Sequence, residues 1–178
     1  NYPQARADLN AAITRAPQDA VAYNQRGILA YANSEWQPAY DDFSKAISLQ
    51  PKLAEAYNNR SIVQRHLGNY AQAIKDSTQA TQMGVASASQ HQQLFQEEVR
   101  QAQERLRAAG ENPGPADGMP GAQTVTALRQ YQQGKGLPVT GLLDEATRLA
   151  LGIGTASPTP GSGSAPRFLH QPKPAYPL

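Results

Sequence analysis

Ala22-Tyr23-Asn24-Gln25-Arg26-Gly27-Ile28 returns as Ala56-Tyr57-Asn58-Asn59-Arg60-Ser61-Ile62. The shift that carries Ala22 onto Ala56 also carries Ala39, Asp42 and Ala46 onto Ala73, Asp76 and Ala80, and sets Trp36 against Tyr70 and Leu49 against Met83. A repeat of fixed length means that each copy is one supersecondary unit whose core is completed by its neighbours. Inside each unit the apolar and small residues recur at helical spacing, broken near Asn33-Ser34 and again at Leu67-Gly68-Asn69. Two antiparallel helices per unit follow, an A helix and then a B helix, with Pro51 closing the first full unit.

This unit resembles a tetratricopeptide repeat. The resemblance rests on the aromatic early in helix A, the small residue after Arg26 or Arg60, Trp36 or Tyr70 at the start of helix B, and the pairs Ala39/Ala73 and Ala46/Ala80. Small residues at those points let two helix axes approach, and the aromatics fill the gap to the next helix. One hairpin cannot bury such a face, so at least three helix pairs are expected. A further shift back aligns Tyr2, Ala5, Asp8, Leu9, Ala12 and Pro17 with Trp36, Ala39, Asp42, Phe43, Ala46 and Pro51. The first residues therefore read as a B helix, and its A helix and a signal peptide are expected upstream of Asn1.

From Ser87 to Ala109 the texture changes to Gln, Glu and Arg, with Phe95, Val99, Ala102 and Leu106 at amphipathic spacing, which predicts one helix ending at Gly110. Beyond it, Asp117-Gly118 through Thr124 and Ala127-Leu128 is echoed by Thr140-Gly141 through Thr147 and Ala150-Leu151. Each copy reads as a tight turn leading into a helix. Gly118 and Gly141 suit positive φ, Gly121 and Asp144 suit the N-cap, and Thr124 and Thr147 are placed to bond back to the cap. The string from Gln103 and Leu106 through Tyr131-Gln132 and Gly136-Leu137-Pro138 to Leu151 resembles the small three-helix peptidoglycan-binding-like module. Pro113-Gly114-Pro115 and Met119-Pro120 depart from its usual pattern.

The expected architecture is all-α: repeats over residues 1–86, the first truncated to its B helix, the three-helix module over 88–153, and an extended Pro/Gly/Ser-rich tail over 154–178. The tail cannot form a packed element of its own and favours polyproline II, with Phe168, Leu169, Tyr176 and Leu178 as anchors for docking.

Composition narrows the chemistry. The 178 residues hold no Cys, and 16 Lys+Arg face 14 Asp+Glu without a basic stripe, so thiolate metal sites, cysteine nucleophiles and nucleic-acid binding are not expected. No apolar run reaches the roughly 20 residues of a membrane span. His66, His91 and His170 lie in separate segments without partners at ligand spacing, so neither metal nor cofactor is expected. Gly161-Ser162-Gly163-Ser164 precedes no helix and reads as linker. Nothing in these motifs suggests an enzyme.

Asp8, Asp42 and Asp76 with Arg26 and Arg60 share the repeat period, and we read them as structural inter-helix ion pairs rather than a binding ladder. The tetratricopeptide resemblance implies a concave face bearing Asn24, Gln25, Ile28 and Tyr31, then Asn58, Asn59, Ile62 and Arg65. Asparagines there can bind an extended main chain, while Tyr31 and Arg65 can select side chains or a carboxylate; the alternative is that these groups only meet solvent. In the module, Gln132 reads as a ligand of loop backbone and Tyr131 and Leu128 as core. Asp117, Arg129, Gln130 and Gln133 are the candidate contacts for glycan or stem peptide.

The module resemblance implies a bacterial periplasm or cell envelope, where it would tether the chain to murein while the repeats and tail dock a protein partner. One alternative is an accessory interaction subunit of a larger periplasmic or membrane-associated complex without murein binding. Another is the regulatory part of a cell-wall enzyme whose catalytic region lies upstream.

Overall fold

The computed structural model describes residues 2–154. The tail anchors Phe168, Leu169, Tyr176 and Leu178 lie outside the described residues. Those described form α1 (Tyr2–Arg15), α2 (Ala20–Ala32), α3 (Trp36–Leu49), α4 (Ala54–His66), α5 (Tyr70–Gln82), α6 (Ala86–Ala108), α7 (Ala122–Gly134) and α8 (Glu145–Ala150), with no strand among them. The repeat period is written into the helix starts, since the steps from Tyr2 to Trp36, from Ala20 to Ala54 and from Trp36 to Tyr70 are equal.

The hairpins turn where the helical spacing breaks. Ser34 and Gly68 follow the C-caps of α2 and α4 in the left-handed region, with φ of 60° and 78°. The next amide then reaches back into the helix: Glu35 donates to the Ala30 carbonyl at 2.9 Å and Asn69 to that of Gln64 at 2.8 Å. This closure satisfies carbonyls that the helix end would otherwise leave without donors.

Helices α2 and α3 form one hairpin and α4 and α5 the next, with α3 also against α4 and α1 against α2. Ala39, Ala46, Ala73 and Ala80 are fully buried at the crossings. At Gly27 a β-carbon would stand 2.7 Å from the Phe43 ring, so the smallest residue lets that ring seal the first hairpin. Burial of a side chain such as Phe43 contributes about 1.5–3 kcal/mol.

Helix α6 packs on α5 and α4, then carries α7 on its later turns. Four positions define its apolar stripe, Phe95, Val99, Ala102 and Leu106, and all are buried. On one side the stripe meets Tyr70, Ala73 and Ile74; on the other it meets Ala127, Leu128, Tyr131, Leu143, Leu151 and Ile153, all in one continuous core. The expected division between residues 86 and 88 falls in the first turn of a helix that the repeats and the three-helix unit hold in common.

Two buried glutamines organise the three-helix unit. Gln103 Nε2 donates to Asp117 Oδ1, the Met119 carbonyl and Thr124 Oγ1, and its Oε1 accepts from the Gly118 amide. Gln132 repeats the pattern with Thr140 Oγ1, the Leu142 carbonyl, Thr147 Oγ1 and the Gly141 amide. Each glutamine therefore ties a turn to the helix that follows it, satisfying groups that would be costly to bury alone. Asp144 caps α8 by accepting from the Thr147 amide and hydroxyl at 2.9 and 2.7 Å. Thr124 departs from the expected cap contact: its hydroxyl donates to the Pro113 carbonyl at 2.9 Å, because Gly121 offers no side-chain acceptor.

Candidate functional site

The successive A helices are joined by polar contacts on the face that a repeat array would present to a ligand. Asn59 Nδ2 donates to Asn24 Oδ1 at 3.2 Å, joining α4 to α2, and Asn58 Oδ1 pairs with His91 Nδ1 at 2.9 Å, joining α4 to α6. Asn24 and Asn59 are buried, and so is Ile62. Arg65 reaches α6, where its Nε donates to Glu98 Oε2 at 2.7 Å and its Nη2 to Oε1. The Tyr70 hydroxyl donates to the same carboxylate.

These positions correct the sequence expectation for four of the eight concave-face residues. Asn24 and Asn59 bond to each other between α2 and α4, Arg65 bonds to α6 and Ile62 is buried, so neighbouring helices engage these four before any ligand can. Gln25, Ile28, Tyr31 and Asn58 stay partly exposed. A signal for Arg65 is present in the sequence. Glu98 stands as far ahead of Arg65 as His91 stands ahead of Asn58, but it falls in a stretch whose texture reads as the next module.

Tyr31 belongs to an aromatic cluster at the end of the first hairpin. Trp36 and His66 stack with centroids 4.1 Å apart and planes 6° from parallel, and Tyr31 lies 5.4 Å from Trp36 and 5.9 Å from His66. Burial, with help from the positive Arg65 and Arg148, lowers the His66 pKa to about 4, so the ring is neutral when it stacks. Burial, and after it the Glu98 carboxylate, pushes the Tyr70 hydroxyl well above its usual range, which keeps it a donor.

The charged set on the repeat period forms two inter-helix forks. Arg26 holds Asp42 at 2.8 and 2.6 Å, and Arg60 holds Asp76 at 2.7 and 2.9 Å. Asp8 departs from the expected pattern. It accepts from Gln4 at 2.8 Å on an exposed surface, since an arginine in its register would fall at a position before residue 1.

In the three-helix unit, Asp117 accepts from the Met119 amide at 2.9 Å and from Gln103 at 3.2 Å, and the amide bond chiefly holds its carboxyl below the usual range. Asp117 thus anchors its turn, while its residue surface remains exposed. Arg129, Gln130 and Gln133 are exposed on α7. Arg129 lies across the Gly141 turn, where a β-carbon would stand 2.8 Å from its Nε, and no ion pair engages it among the described residues. Beside this face a shallow apolar cleft is lined by Pro120, Val125, Leu128 and Leu142 and closed by Asn69 and Ala71 from the repeats.

Among the described residues no cluster of three or more His, Cys, Asp or Glu side chains is placed to hold a metal ion. No helix among them is long and apolar enough to cross a membrane.

Comparison with protein families matches residues 43–75 to the family described as "Tetratricopeptide repeat" and residues 95–151 to that described as "Putative peptidoglycan binding domain". A search of the curated proteins finds no match. The first match spans α3 to α5, and the second begins at Phe95, inside the shared helix.

Proposed function

We propose that this chain, a tetratricopeptide-repeat array joined to a domain of the peptidoglycan-binding type, is a non-catalytic scaffold of the bacterial cell envelope. The second domain binds peptidoglycan, and the repeats with the C-terminal tail hold a protein partner. The setting we infer is periplasmic, with a signal peptide upstream of Asn1. The observation that carries this reading is α6, whose single apolar stripe belongs to both cores. A partner held by the repeats is thereby kept at a fixed position relative to the wall.

The exposed face of α7 suits the wall polymer. Arg129 can pair a stem-peptide carboxylate, and Gln130 and Gln133 can exchange hydrogen bonds with amide and hydroxyl groups over a shallow surface. At the junction, by contrast, Glu98 is taken by Arg65 and Tyr70, and His66 is stacked on Trp36. We therefore read the role as attachment rather than catalysis.

Co-sedimentation of the full chain with isolated murein sacculi at physiological salt tests the reading. The wild type is expected in the pellet, and the triple variant Arg129→Ala, Gln130→Ala, Gln133→Ala in the supernatant. Equal pelleting would remove this face as the contact. Failure of the wild type to pellet would favour the accessory-subunit reading, which the partly exposed Ile28, Tyr31 and Trp36 on the repeats support.

A further inference from the structure

Pro120, Val125, Leu128 and Leu142 of the second domain and Asn69 and Ala71 of the repeats together line a cleft of about 70 Å³. Among the described residues, no carboxylate, ammonium, guanidinium or imidazole group borders it. The two hydroxyls that do are already spent, since Thr124 donates to the Pro113 carbonyl at 2.9 Å and Tyr70 donates to Glu98. Asn69 is the one other polar side chain there. A glycan or a free carboxylate needs a set of hydrogen-bonding groups that these side chains do not supply, so the cleft suits an apolar occupant. Leu142, still 38% exposed, offers it a surface to cover.

Size narrows the occupant further. Small-molecule sites hold roughly 300–1,000 Å³, whereas this cleft takes one or two side chains. Burying so little returns less to a separate partner than the freedom it gives up on docking. A segment tethered nearby has already given up most of that freedom. The cleft therefore fits a piece of this same chain.

The chain supplies one. Ile153 is buried in the core that also contains Val99, Ala102, Leu128 and Leu143, all four of them in the cleft wall, so the polypeptide leaves the fold at Gly154 from that same core. Phe168 follows fourteen residues later, a contour of about 40 Å at the rise of polyproline II, ample to return across one core. Gly161-Ser162-Gly163-Ser164 stands between them, a composition that adds little stiffness. Prolines aside, Phe168-Leu169 is the only adjacent pair of large apolar residues after Gly154. Tyr176 would carry a hydroxyl into a cleft with little to receive it.

We propose that Phe168 and Leu169 dock in this cleft within the same molecule, so that the chain's own tail closes the seam between the repeats and the second domain. Capture of the tail by a protein partner then competes with this contact; that consequence alone rests on the partner reading above.

The test uses the full chain. It contains no cysteine, so Ala165→Cys places a single nitroxide label three residues before Phe168. In spectra of the Leu and Val methyl groups, the signals of Val125 and Leu142 are expected to lose at least half their intensity to that label and to regain it when the label is reduced, while Leu9 in α1 keeps its intensity. No loss is expected when nitroxide-bearing chain is mixed with isotope-labelled chain that lacks the nitroxide. The double variant Phe168→Ser, Leu169→Ser should abolish the loss and leave the signals of the buried core in place. Leu142→Glu should reduce it; because the double variant alters no residue of the packed helices, it decides the matter even where Leu142→Glu unfolds the domain. Full intensity at Val125 and Leu142 in the first sample overturns the proposal. So does an equal loss in the mixed sample, which assigns the cleft to a second copy of the chain, or a loss that survives the double variant.

Discussion

The backbone amide of Leu143 donates to the carbonyl of Gly68 at 3.3 Å, joining the loop before α8 to the turn between α4 and α5. Gly68 has a φ of 78°, and a β-carbon on it would lie 2.7 Å from the Asp144 amide nitrogen. Only a residue without a side chain lets the two backbones meet there. With α6 on the other side of the core, this contact makes the second domain and the last full repeat one packed body.

Gly68→Ala is therefore expected to strain the turn and push the α8 loop away. The left-handed backbone and the clash together should cost about 1–3 kcal/mol. Urea unfolding gives the loss, and amide exchange should show faster opening at residues 143–153 than in α2. An unchanged midpoint would contradict the close approach.

Arg60→Ala leaves Asp76, with a side chain 2% exposed, without its fork. Breaking a buried pair in this way costs about 3–5 kcal/mol, enough to lower Tm by several degrees. Arg26→Ala should cost less, because that arginine's side chain is 28% exposed. Arg60→Lys should not restore the loss, since an ammonium cannot span both carboxylate oxygens. Parallel thermal melts of the three variants check the order.

Residues 88–154 expressed alone would retain α7, α8 and most of α6 but expose the side of α6 that meets Tyr70, Ala73 and Ile74. The expected result is a helical but loosely packed species that binds a hydrophobic dye. Residues 70–154 should melt cooperatively and bind less dye. If the shorter piece melts as sharply, the shared core contributes little.

His66 supplies a pH dependence with a definite sign. Its pKa is about 4 in the fold against an ordinary 6.5, so between those values the unfolded chain binds the extra proton. That part of the stability is present above pH 6.5 and is lost as pH falls towards 4. Allowing for partial solvent contact, the effect is about 1–3 kcal/mol. On going from pH 7 to pH 4 the urea midpoint of the wild type should fall relative to that of His66→Phe, which lacks the titrating ring. A constant gap would show that the ring is not held neutral by its surroundings.

Repeat length, helix boundaries and turn positions were legible because each depends on residues close together in the chain. The recurrence of Ala22-Tyr23-Asn24 as Ala56-Tyr57-Asn58, a small residue at each crossing and a left-handed turn at Gly68 are local marks, as are the paired turn-helix units and their glutamines. The two arginine forks were also readable, since Arg26 to Asp42 and Arg60 to Asp76 span the same hairpin twice. Contacts between hairpins are a different matter. Whether Asn59 turns to Asn24 or to a ligand depends on the angle at which α4 lies against α2, and no pattern along the chain encodes that angle.

The junction shows the same limit from the other side. Composition alone places Glu98 among many charged residues of an amphipathic helix and Arg148 in a short capped one. Folding brings Glu98 to Arg65 and Tyr70, and buries Arg148 with its Nε unpartnered. Helices and turns follow from near-neighbour sterics and hydrogen bonding, so they survive in the residue order. Burial of a charge, and its pairing, depends on which distant surfaces exclude water together, and that is set when α6 joins the repeats to the second domain.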